Sequence, residues 1–507
     1  MNRGRVIFVG AGPGDPKLVT VRGMEALRKA DVVVYDRLVH PALLAYTRHD
    51  ARLIYVGKEA AKHVVPQTEI NRLLVQEARR GKVVVRLKGG DPGVFGRVGE
   101  EAQACQEAGI PFDMVPGVTS GTAAPMYAGI PLTHRDYHSS VTFLTGHFCK
   151  QNAAQGVNWA ALAALPSLVI YMGVKNLPYI QKQLLTHGMA PDTPVALVQW
   201  GTVARQQTIV GELQDILQRA QDAQLQPPAI IVIGEVVRLR ETLNWYETKP
   251  LFGTTIACAV EESAPSEFWT AELDACGAEV IPVRLVPRLS TPAAEQLVQN
   301  LACYHWLVFA DRHQVDFFFH IFKEQRWDVR RLKAQLATLG PEPADALTQR
   351  GLVPTCVLPE DLPAEQIRCH LAAPAGQIGF LQSGNRLLRQ VGDIAVLSLG
   401  DRVWDDTHPS AEWFRTQHVD AFAAADPVHL DGLAALAGDG WQERTLYCLN
   451  EKTARRAREM GWKHVIQWAS RWEPARRAAA APHLPLPEYP PEPALPTQSR
   501  QYAAAGN

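Results

Sequence analysis

The chain contains 507 residues, of which 47% are hydrophobic and 20% are charged, with a formal net charge of −1 at pH 7. This length allows two or more domains with substantial cores, and the composition is typical of a globular protein. The near-neutral charge argues against partners such as nucleic acid or a charged membrane surface. No apolar stretch of the sequence approaches the length of a membrane span.

The cysteines and the N-terminus indicate the compartment. The eight cysteines are scattered singly, without a C-x-x-C pair, so we expect neither a disulfide framework nor a metal site. Arg3 and Arg5 run directly into a short apolar strand, which is not the pattern of a signal peptide. The sequence therefore predicts a cytoplasmic protein with reduced thiols.

A glycine-rich turn at residues 10–16, Gly-Ala-Gly-Pro-Gly-Asp-Pro, is the most informative motif. It follows the apolar run Val6–Val9 and precedes a helix predicted from about Thr20 to Ala30. A strand that ends in such a turn brings backbone N–H groups close to a ligand. The spacing excludes the dinucleotide fingerprint, because Gly14 follows Gly12 too closely, with Pro13 between them.

Short apolar runs alternate with amphipathic segments along the whole chain, which predicts βαβ units, an α/β fold and at least partly parallel sheets. The strands predicted in the first half are Val6–Val9, Val32–Tyr35, Val83–Leu87, Val141–Thr145, Leu168–Met172, Val195–Val198 and Ile230–Ile233.

Three segments follow from the pattern. Residues 1–248 form a first domain, and the strand Thr254–Val260 opens a second α/β region over 252–471. The proline- and alanine-rich residues 472–507 predict a disordered tail.

The second region contains an internal repeat. Gly340 is followed eleven residues later by Gly351, and Asn450 is followed eleven residues later by Gly461. Upstream, the apolar runs Trp306–Ala310 and Val419–Ala423 both end in Phe-Ala. The offset predicts two similar α/β lobes of roughly a hundred residues each.

Several polar and glycine-rich clusters follow predicted strands of the first domain. Because ligands of open α/β sheets bind outside the carboxyl ends of the strands, we expect these clusters to converge on one crevice. The alternative for any single cluster is a turn that is rich in glycine for geometric reasons. The clusters are 10–16, Asp36-Arg37, Gly57-Lys58, 86–92 and 116–120.

With these motifs, residues 4–246 resemble the uroporphyrinogen-III C-methyltransferases of the tetrapyrrole methylase family. Further segments of the resemblance are 35–39, 95–97, 131–137, 171–173 and 194–198. The resemblance implies two α/β subdomains with S-adenosyl-L-methionine bound between them in a homodimer. It also implies two successive methylations of uroporphyrinogen III to precorrin-2, for sirohaem or cobalamin synthesis.

The resemblance places cofactor contacts on nine positions: Pro13, Gly89, Gly90, Asp91, Val94, Thr119, Ser120, Met172 and Gly201. Asp91 suits the amino group or ribose hydroxyls of the cofactor, and Met172 offers a soft apolar surface. Core packing is the alternative for Met172.

The catalytic base and acid of the family fall on Asp36 and Lys58, with an ion pair that fixes the cleft as the alternative role. The tetrapyrrole substrate carries many carboxylates, which guanidinium groups bind well. The motif context favours substrate contact by Arg37, Arg97 and Arg135, whereas we expect Arg22 to be exposed on a helix.

Residues 252–471 resemble uroporphyrinogen-III synthase, the enzyme that makes the methyltransferase substrate. The resemblance implies one lobe from 253–285 and 396–470, and another from 288–392. Family members carry hydroxyl side chains at the lobe edges, but here Asp311 and Glu342 occupy such stretches, and only Thr453 keeps its type. Because these carboxylates would repel a polyanion, we expect the synthase activity to be lost.

Two alternatives to this interpretation remain open. The chain is then either a fully bifunctional methyltransferase and synthase, or a methylase of a later corrin intermediate with a non-catalytic C-terminal interaction module.

Overall fold

A computed structural model describes residues 4–48, 50–57, 65–137, 139–147, 157–260, 267–360, 362–371, 377–383, 389–391, 394–404, 414 and 418–468. The candidate acid Lys58 and the tail at 472–507 lie outside these residues. No helix within the described ranges combines the length and low polarity that a membrane crossing needs.

The first half begins with a five-stranded sheet in the order β3-β2-β4-β1-β5, in which every neighbouring pair is parallel. The helices lie between successive strands, as parallel pairing requires. The strands are β1 (Arg5–Gly10), β2 (Val32–Tyr35), β3 (Arg52–Tyr55), β4 (Val83–Lys88) and β5 (Phe112–Val115), and the helices are α1 (Val21–Lys29), α2 (Gln67–Arg79), α3 (Val98–Glu107) and α4 (Ser120–Tyr127).

Helix α1 shows how the sequence sets an element's limits. The Thr20 hydroxyl accepts a hydrogen bond from Gly23 N at 3.1 Å and caps the helix, while extended Ala30 ends it. Ala26 and Leu27 are buried against the sheet. Residues Thr20 and Ala30, predicted as helix ends, are therefore the two caps.

A second five-stranded sheet has the order β6-β7-β10-β8-β9 and is mixed, since only β6 and β7 are parallel. Its core is a layer of apolar side chains around buried Leu168, Ile180 and Leu197. The elements are β6 (Thr142–Thr145), α5 (Trp159–Ala163), β7 (Leu168–Tyr171), α6 (Leu177–Thr186), β8 (Pro194–Gln199), β9 (Gln207–Glu212), α7 (Ile216–Asp222), β10 (Ala229–Ile233) and α8 (Arg240–Leu243).

The chain beyond residue 250 forms two six-stranded sheets, in the orders β19-β12-β11-β20-β21-β22 and β15-β14-β13-β16-β18-β17. The strands are β11 (Thr255–Val260), β12 (Glu279–Leu289), β13 (Tyr304–Phe309), β14 (Gln335–Leu339), β15 (Cys356–Leu358), β16 (Gln377–Leu381), β17 (Arg389–Val391), β18 (Ile394–Leu397), β19 (Gly400–Trp404), β20 (Ala421–Ala424), β21 (Thr445–Cys448) and β22 (His464–Gln467).

One of these sheets takes its strands from both ends of the segment, because β11 and β12 precede the other sheet and β19–β22 follow it. Strand β18 pairs with β16 and extends the inner sheet past the expected limit at residue 392. The helices are α9 (Glu267–Ala275), α10 (Thr291–Asn300), α11 (Arg312–Glu324), α12 (Pro341–Thr348), α13 (Ile367–Leu371), α14 (Leu430–Ala437) and α15 (Glu451–Met460).

The internal repeat is confirmed as two matching strand–helix units, one in each sheet. In one unit β14 leads through Gly340 into α12, and in the other β21 leads through Asn450 into α15. Gly351 and Gly461, which follow these helices, both have a positive φ, at 79° and 107°. The conformation of the backbone after each helix therefore explains the matched glycines.

Three glycines at the carboxyl edge of the first sheet lie in backbone contact. A Cβ on Gly10 would lie 2.6 Å from Gly117 N and 2.8 Å from Gly90 O, and one on Gly117 would lie 2.7 Å from Gly10 Cα. The loops after β1, β4 and β5 can therefore approach this closely only because Gly10 and Gly117 lack side chains.

We predict that Gly117→Ala lowers the free energy of unfolding by about 1–3 kcal/mol, because the added methyl group must displace backbone. Gly99→Ala is the matched control, since a Cβ on Gly99 in α3 meets nothing within 4 Å. It should be neutral or stabilising by about 0.5–1 kcal/mol. Urea unfolding of both variants measures the difference, and equal stabilities would contradict the close packing.

Candidate active site

The loops after β1, β4 and β5 are joined by hydrogen bonds where the strands end. Ala11 N donates to Lys88 O at 2.7 Å, and Gly12 and Gly90 exchange two backbone hydrogen bonds of 3.2 and 2.6 Å. Gly12 and Gly90 have φ angles of 80° and 69°. The glycine-rich turn and the loop after β4 thus form one continuous backbone surface.

Asp91 fastens this surface to the loop after β5. Its Oδ2 accepts from Gly117 N at 2.9 Å and its Oδ1 accepts from Gly93 N at 2.7 Å. Each carboxylate oxygen keeps a further lone pair. Asp91 therefore holds the loops in place, a role that the sequence analysis did not foresee, while its predicted cofactor contact stays a prediction.

Loops of the second sheet meet the same edge. Tyr171 ends β7, and its hydroxyl lies 2.8 Å from Thr119 Oγ1 and accepts from Gly121 N at 3.0 Å. Burial raises the pKa of this phenol, while the hydrogen bonds from Thr119 and Gly121 oppose the rise. The Phe95 ring packs on Tyr171 with centroids 5.0 Å apart.

The glycine-rich turn also contacts the loop that follows β8. Asp15 N donates to Thr202 Oγ1 at 2.9 Å, and a Cβ on Gly14 would lie 3.0 Å from Gly201 O. The Tyr127 hydroxyl donates to Asp15 Oδ2 at 2.7 Å. Pro13 and Gly201, two candidates far apart in sequence, are therefore neighbours through Gly14.

Backbone strain is concentrated at this meeting point. Seven non-glycine residues in the described ranges have a positive φ, and five of them lie on these loops. Such conformations cost of order 1–3 kcal/mol each and often mark functional sites. The five residues are Phe95, Arg97, Met172, Trp200 and Thr202.

Met172 and Phe95 combine this strain with exposure, at 54% and 42% of their surface. Met172 is therefore not a core residue, which removes the alternative considered above. All nine cofactor candidates are on the loops just described, and apart from Met172 they are buried or half-buried. Their role in binding remains a prediction.

The candidate base Asp36 follows β2 and is ion-paired. Arg86 Nη2 donates to Asp36 Oδ1 at 2.6 Å, and the Asp36 side chain is 32% exposed. Within the described residues the partner of Asp36 in an ion pair is thus Arg86, while the alternative pair with Lys58 falls outside those residues. Gly57, which precedes Lys58, lies against the loop after β2, since a Cβ there would be 2.7 Å from Arg37 N.

Behind Asp36 lies a buried charge network that the sequence analysis missed. Glu101 Oε1 accepts from Arg86 Nε at 3.2 Å, from Lys88 Nζ at 3.0 Å and from Gln67 Nε2 at 3.0 Å. The Arg86 and Glu101 side chains are 2% and 0% exposed. Burial lowers the pKa of Lys88, as does the Arg86 charge, while Glu101 opposes the shift.

A signal for this network was present in strand β4, whose sequence Val-Val-Val-Arg-Leu-Lys places two cations in an apolar strand. Buried charges need partners, so these cations required an acid from another element. That acid is Glu101 of α3, which orients Arg86 and through it Asp36.

The substrate candidates Arg37, Arg97 and Arg135 are exposed. Arg97 forms a two-pronged contact with Glu100, with Nε and Nη2 at 2.8 and 2.7 Å from its oxygens. Arg22 is exposed on α1, as predicted. In the described part of the chain, no group of His, Cys, Asp and Glu residues has a geometry that could hold a metal ion.

These observations define the class of the protein, an α/β protein in which loops of two sheets meet at the carboxyl edge of the first. The sequence profile of the family Tetrapyrrole (Corrin/Porphyrin) Methylases matches residues 5–217. A uroporphyrinogen-III C-methyltransferase of Priestia megaterium is 51% identical over 235 residues, which is 46% of this chain and 98% of that protein.

A uroporphyrinogen-III C-methyltransferase of Bacillus subtilis (strain 168) is 44% identical over 361 residues, 71% of this chain and 74% of that protein. This match is longer than the methylase half. A solved uroporphyrin-III C-methyltransferase of Thermus thermophilus, complexed with S-adenyl homocysteine, is 38% identical, with a TM-score of 0.40 and coverage of 46% and 100%. Over its N-terminal half, the chain belongs to the uroporphyrinogen-III C-methyltransferases of the tetrapyrrole methylase family.

The chain also matches siroheme synthases, but spans only about half of their length. The protein of Tolumonas auensis is 52% identical over 244 residues, which is 48% of this chain and 51% of that protein.

We predict that Glu101→Gln lowers the free energy of unfolding by about 3 kcal/mol, because the buried Lys88 then loses its ion-pair partner and Arg86 keeps only its pair with Asp36. The adjacent Glu100→Gln is the matched control and should cost less than about 1 kcal/mol, since its pair with Arg97 is exposed. Urea unfolding measures both. Equal losses in the two variants would show that the buried network does not stabilise the fold.

Proposed function

We propose that this chain transfers methyl groups from S-adenosyl-L-methionine to two ring carbons of uroporphyrinogen III. The product would be precorrin-2, formed by way of precorrin-1, and would enter sirohaem or cobalamin synthesis. The observation that carries the proposal is the meeting of loops from both sheets. The exposed Phe95, which lies in the loop of Gly90, packs on Tyr171, and Tyr171 directly precedes the exposed Met172. The identity to methyltransferases over this half supports the same activity.

The cleft residues fit the cofactor. Met172 and Phe95 offer apolar surface that is otherwise exposed, and the backbone at Gly89 and Gly90 can approach a ligand closely because it lacks side chains. At Gly90 a Cβ would lie 3.7 Å from Ser120 N. Thr119 and Asp91 add oxygen atoms for hydrogen bonds to polar groups of the cofactor.

Bound S-adenosyl-L-methionine supplies an activated methyl group, so the chain contributes mainly alignment and proton transfer. Asp36 is proposed to accept the proton that a pyrrole N–H loses as a ring carbon is methylated. Its ion pair with Arg86 orients the carboxylate. Lys58, which directly follows Gly57, is proposed to return a proton elsewhere on the macrocycle.

The substrate carboxylates are proposed to bind Arg37, Arg97 and Arg135. All three are exposed, as contacts to the rim of a large and highly charged ring require. Guanidinium groups bind carboxylates through two parallel hydrogen bonds. Arg97 already holds Glu100 in this way, so a substrate carboxylate would exchange with Glu100. We also propose that residues 1–248 form this methyltransferase domain and that the protein acts as a homodimer.

The activity is tested with the purified full-length chain, uroporphyrinogen III and S-adenosyl-L-methionine, and we expect doubly methylated product by mass spectrometry. Asp36→Asn should reduce kcat by about 10²–10⁴-fold while S-adenosylhomocysteine binds unchanged in calorimetry. Asp113→Asn is the control. Asp113 lies in β5, and its carboxylate pairs with exposed Arg5 at the start of the neighbouring strand β1, the end opposite to the candidate site.

An unmethylated substrate would refute the proposed activity, and unchanged turnover by Asp36→Asn would refute the role of the base. Methylation of a later corrin intermediate alone would assign the chain to the alternative considered above.

For the C-terminal half, residues 252–471, we propose a synthase-like domain that has lost synthase activity. A cavity of about 430 Å³ lies between its two sheets, lined by residues of both. The lining includes the carboxylates Asp311, Glu360, Glu365, Asp426, Asp431 and Glu459, but as cations only Lys452, Arg455 and Arg456 among the described residues. This excess of acids disfavours a polyanionic substrate.

Contacts within the cavity support this proposal. Asp311 caps α11 by accepting from Gln314 N at 3.1 Å, and it also accepts from Ser383 N at 2.8 Å. Lys452 Nζ lies 3.0 Å from Glu360 Oε1, so one of the cations is already paired across the cavity. The Thr453 hydroxyl is buried and donates to Ala425 O at 3.2 Å, so it does not offer a hydroxyl to a ligand.

Hydroxymethylbilane alone should therefore give the uncatalysed type I uroporphyrinogen isomer with this protein, as separated by chromatography. A known synthase added to the same reaction is the positive control. Formation of the type III isomer by this chain would overturn the proposed loss and make the protein fully bifunctional.

A further inference from the structure

Glu279, the first residue of β12, carries a buried contact from the C-terminal half to the methylase half. Its Oε1 lies 2.9 Å from His40 Nε2, and its Oε2 accepts a hydrogen bond from Ala204 N at 2.8 Å. The side chains of His40 and Glu279 are only 5% and 11% exposed. One carboxylate therefore joins two separate loops of the methylase half.

The direction of the histidine contact follows from its other nitrogen. His40 Nδ1 accepts a hydrogen bond from Ala42 N at 3.2 Å, at the start of the 3₁₀ helix Pro41–Tyr46. Because Nδ1 is an acceptor, the proton resides on Nε2, which donates to Glu279. Both Glu279 oxygens thus accept from donors of the methylase half.

Both donors belong to loops of the candidate active site. His40 follows Asp36 and Arg37 in the loop after β2, and Ala204 follows Gly201 in the loop after β8. The loop after β8 carries two strained residues, Trp200 and Thr202. Strained conformations persist only where surrounding contacts hold them in place.

Contacts from three directions hold this loop. Thr202 Oγ1 accepts from Asp15 N of the glycine-rich turn at 2.9 Å, and Thr202 N donates to Gln206 Oε1 at 2.8 Å. Gln206 Nε2 donates to Glu247 at 2.8 Å. Glu279 is the contact from the C-terminal half, and its loss would release the loop at Ala204, close to Gly201.

The charge of Glu279 is maintained at this buried position. Burial raises the pKa of the Glu279 carboxyl, but the hydrogen bonds from His40 and from Ala204 N and the charge of Arg205 outweigh it, so that the pKa is lowered. A second pair between the halves, Lys17 Nζ to Asp274 Oδ2 at 2.9 Å, is largely exposed and so contributes little.

We propose that Glu279 is a positioning residue for the methyltransferase: the C-terminal half, through this side chain, holds the loops after β2 and β8 in their binding geometry. The proposal rests on the function proposed above. It gives the C-terminal half a role in the methylation reaction, and this role is independent of any synthase chemistry.

The test uses the full-length chain with Glu279→Gln, which preserves size but turns an NH₂ group toward one of two donors. Glu272→Gln is the matched control, because Glu272 accepts from Trp468 Nε1 at 2.6 Å within the C-terminal half. Hydrogen–deuterium exchange of residues 200–206 and calorimetry with S-adenosylhomocysteine are measured together with kcat and KM.

For Glu279→Gln we expect faster exchange at 200–206, about fivefold weaker S-adenosylhomocysteine binding, and a matching rise in KM for S-adenosylmethionine with less than about a twofold change in kcat. Glu272→Gln should match the wild type in all of these. His40→Phe, which removes one of the two donors to Glu279, should change exchange and affinity in the same direction. The double variant should bind S-adenosylhomocysteine no more weakly than the weaker single variant.

Unchanged exchange in both Glu279→Gln and His40→Phe would overturn the proposal, as would faster exchange with unchanged affinity for S-adenosylhomocysteine. If the wild-type chain itself does not bind S-adenosylhomocysteine, the proposed function fails, and the exchange data still decide whether Glu279 holds the loop.

Discussion

The close contact between glycine backbones of three loops, at the carboxyl edge of the first sheet, is the constraint on which the site depends. A side chain on Gly10 or Gly117 would collide with the backbone of the other and with Gly90 O, and this contact brings the turns after β1, β4 and β5 into one surface. Asp91 then links the loops after β4 and β5 by accepting a hydrogen bond from Gly117 N. The glycines are therefore needed first for loop-to-loop packing, and the space left for a ligand is a result of that packing.

A second constraint is the burial of charge beside this surface. Glu101 pairs with both Arg86 and Lys88, and Arg86 also pairs with Asp36, so that two acids balance two cations. A chain of alternating charges that is fully paired is stable in the interior, whereas any member left alone is costly. The orientation of Asp36 is consequently fixed, through Arg86, by Glu101 of α3, whose side chain is fully buried.

The sequence was a good guide to the elements and to the loops that meet. Predicted strand Val32–Tyr35 is found as such, and Leu168–Met172 is too long by one residue because Met172 takes a positive φ. Hydrophobic alternation reports local burial, and glycine spacing reports turns, so these features are readable along the chain.

Contacts between distant segments could not be read in this way. The bond between Asp15 N and Thr202 Oγ1 spans 187 residues, and the contact of His40 with Glu279 spans 239. Each contact depends on how whole sheets pack, and the residue types alone do not identify the partners. The charges in β4 signalled that an acid must lie nearby, but not that it is Glu101.

The position of Glu279 has a consequence for how the protein is made. Strand β12 lies beside β11, and β11 pairs on its other side with β20, near the end of the described chain. A ribosome releases the N-terminal half first, and domains generally fold as they emerge. The methylase half is thus assembled while the sheet that bears Glu279 is still incomplete. His40 and Ala204, which donate to Glu279 in the complete protein, then face water until nearly the whole polypeptide has been synthesised.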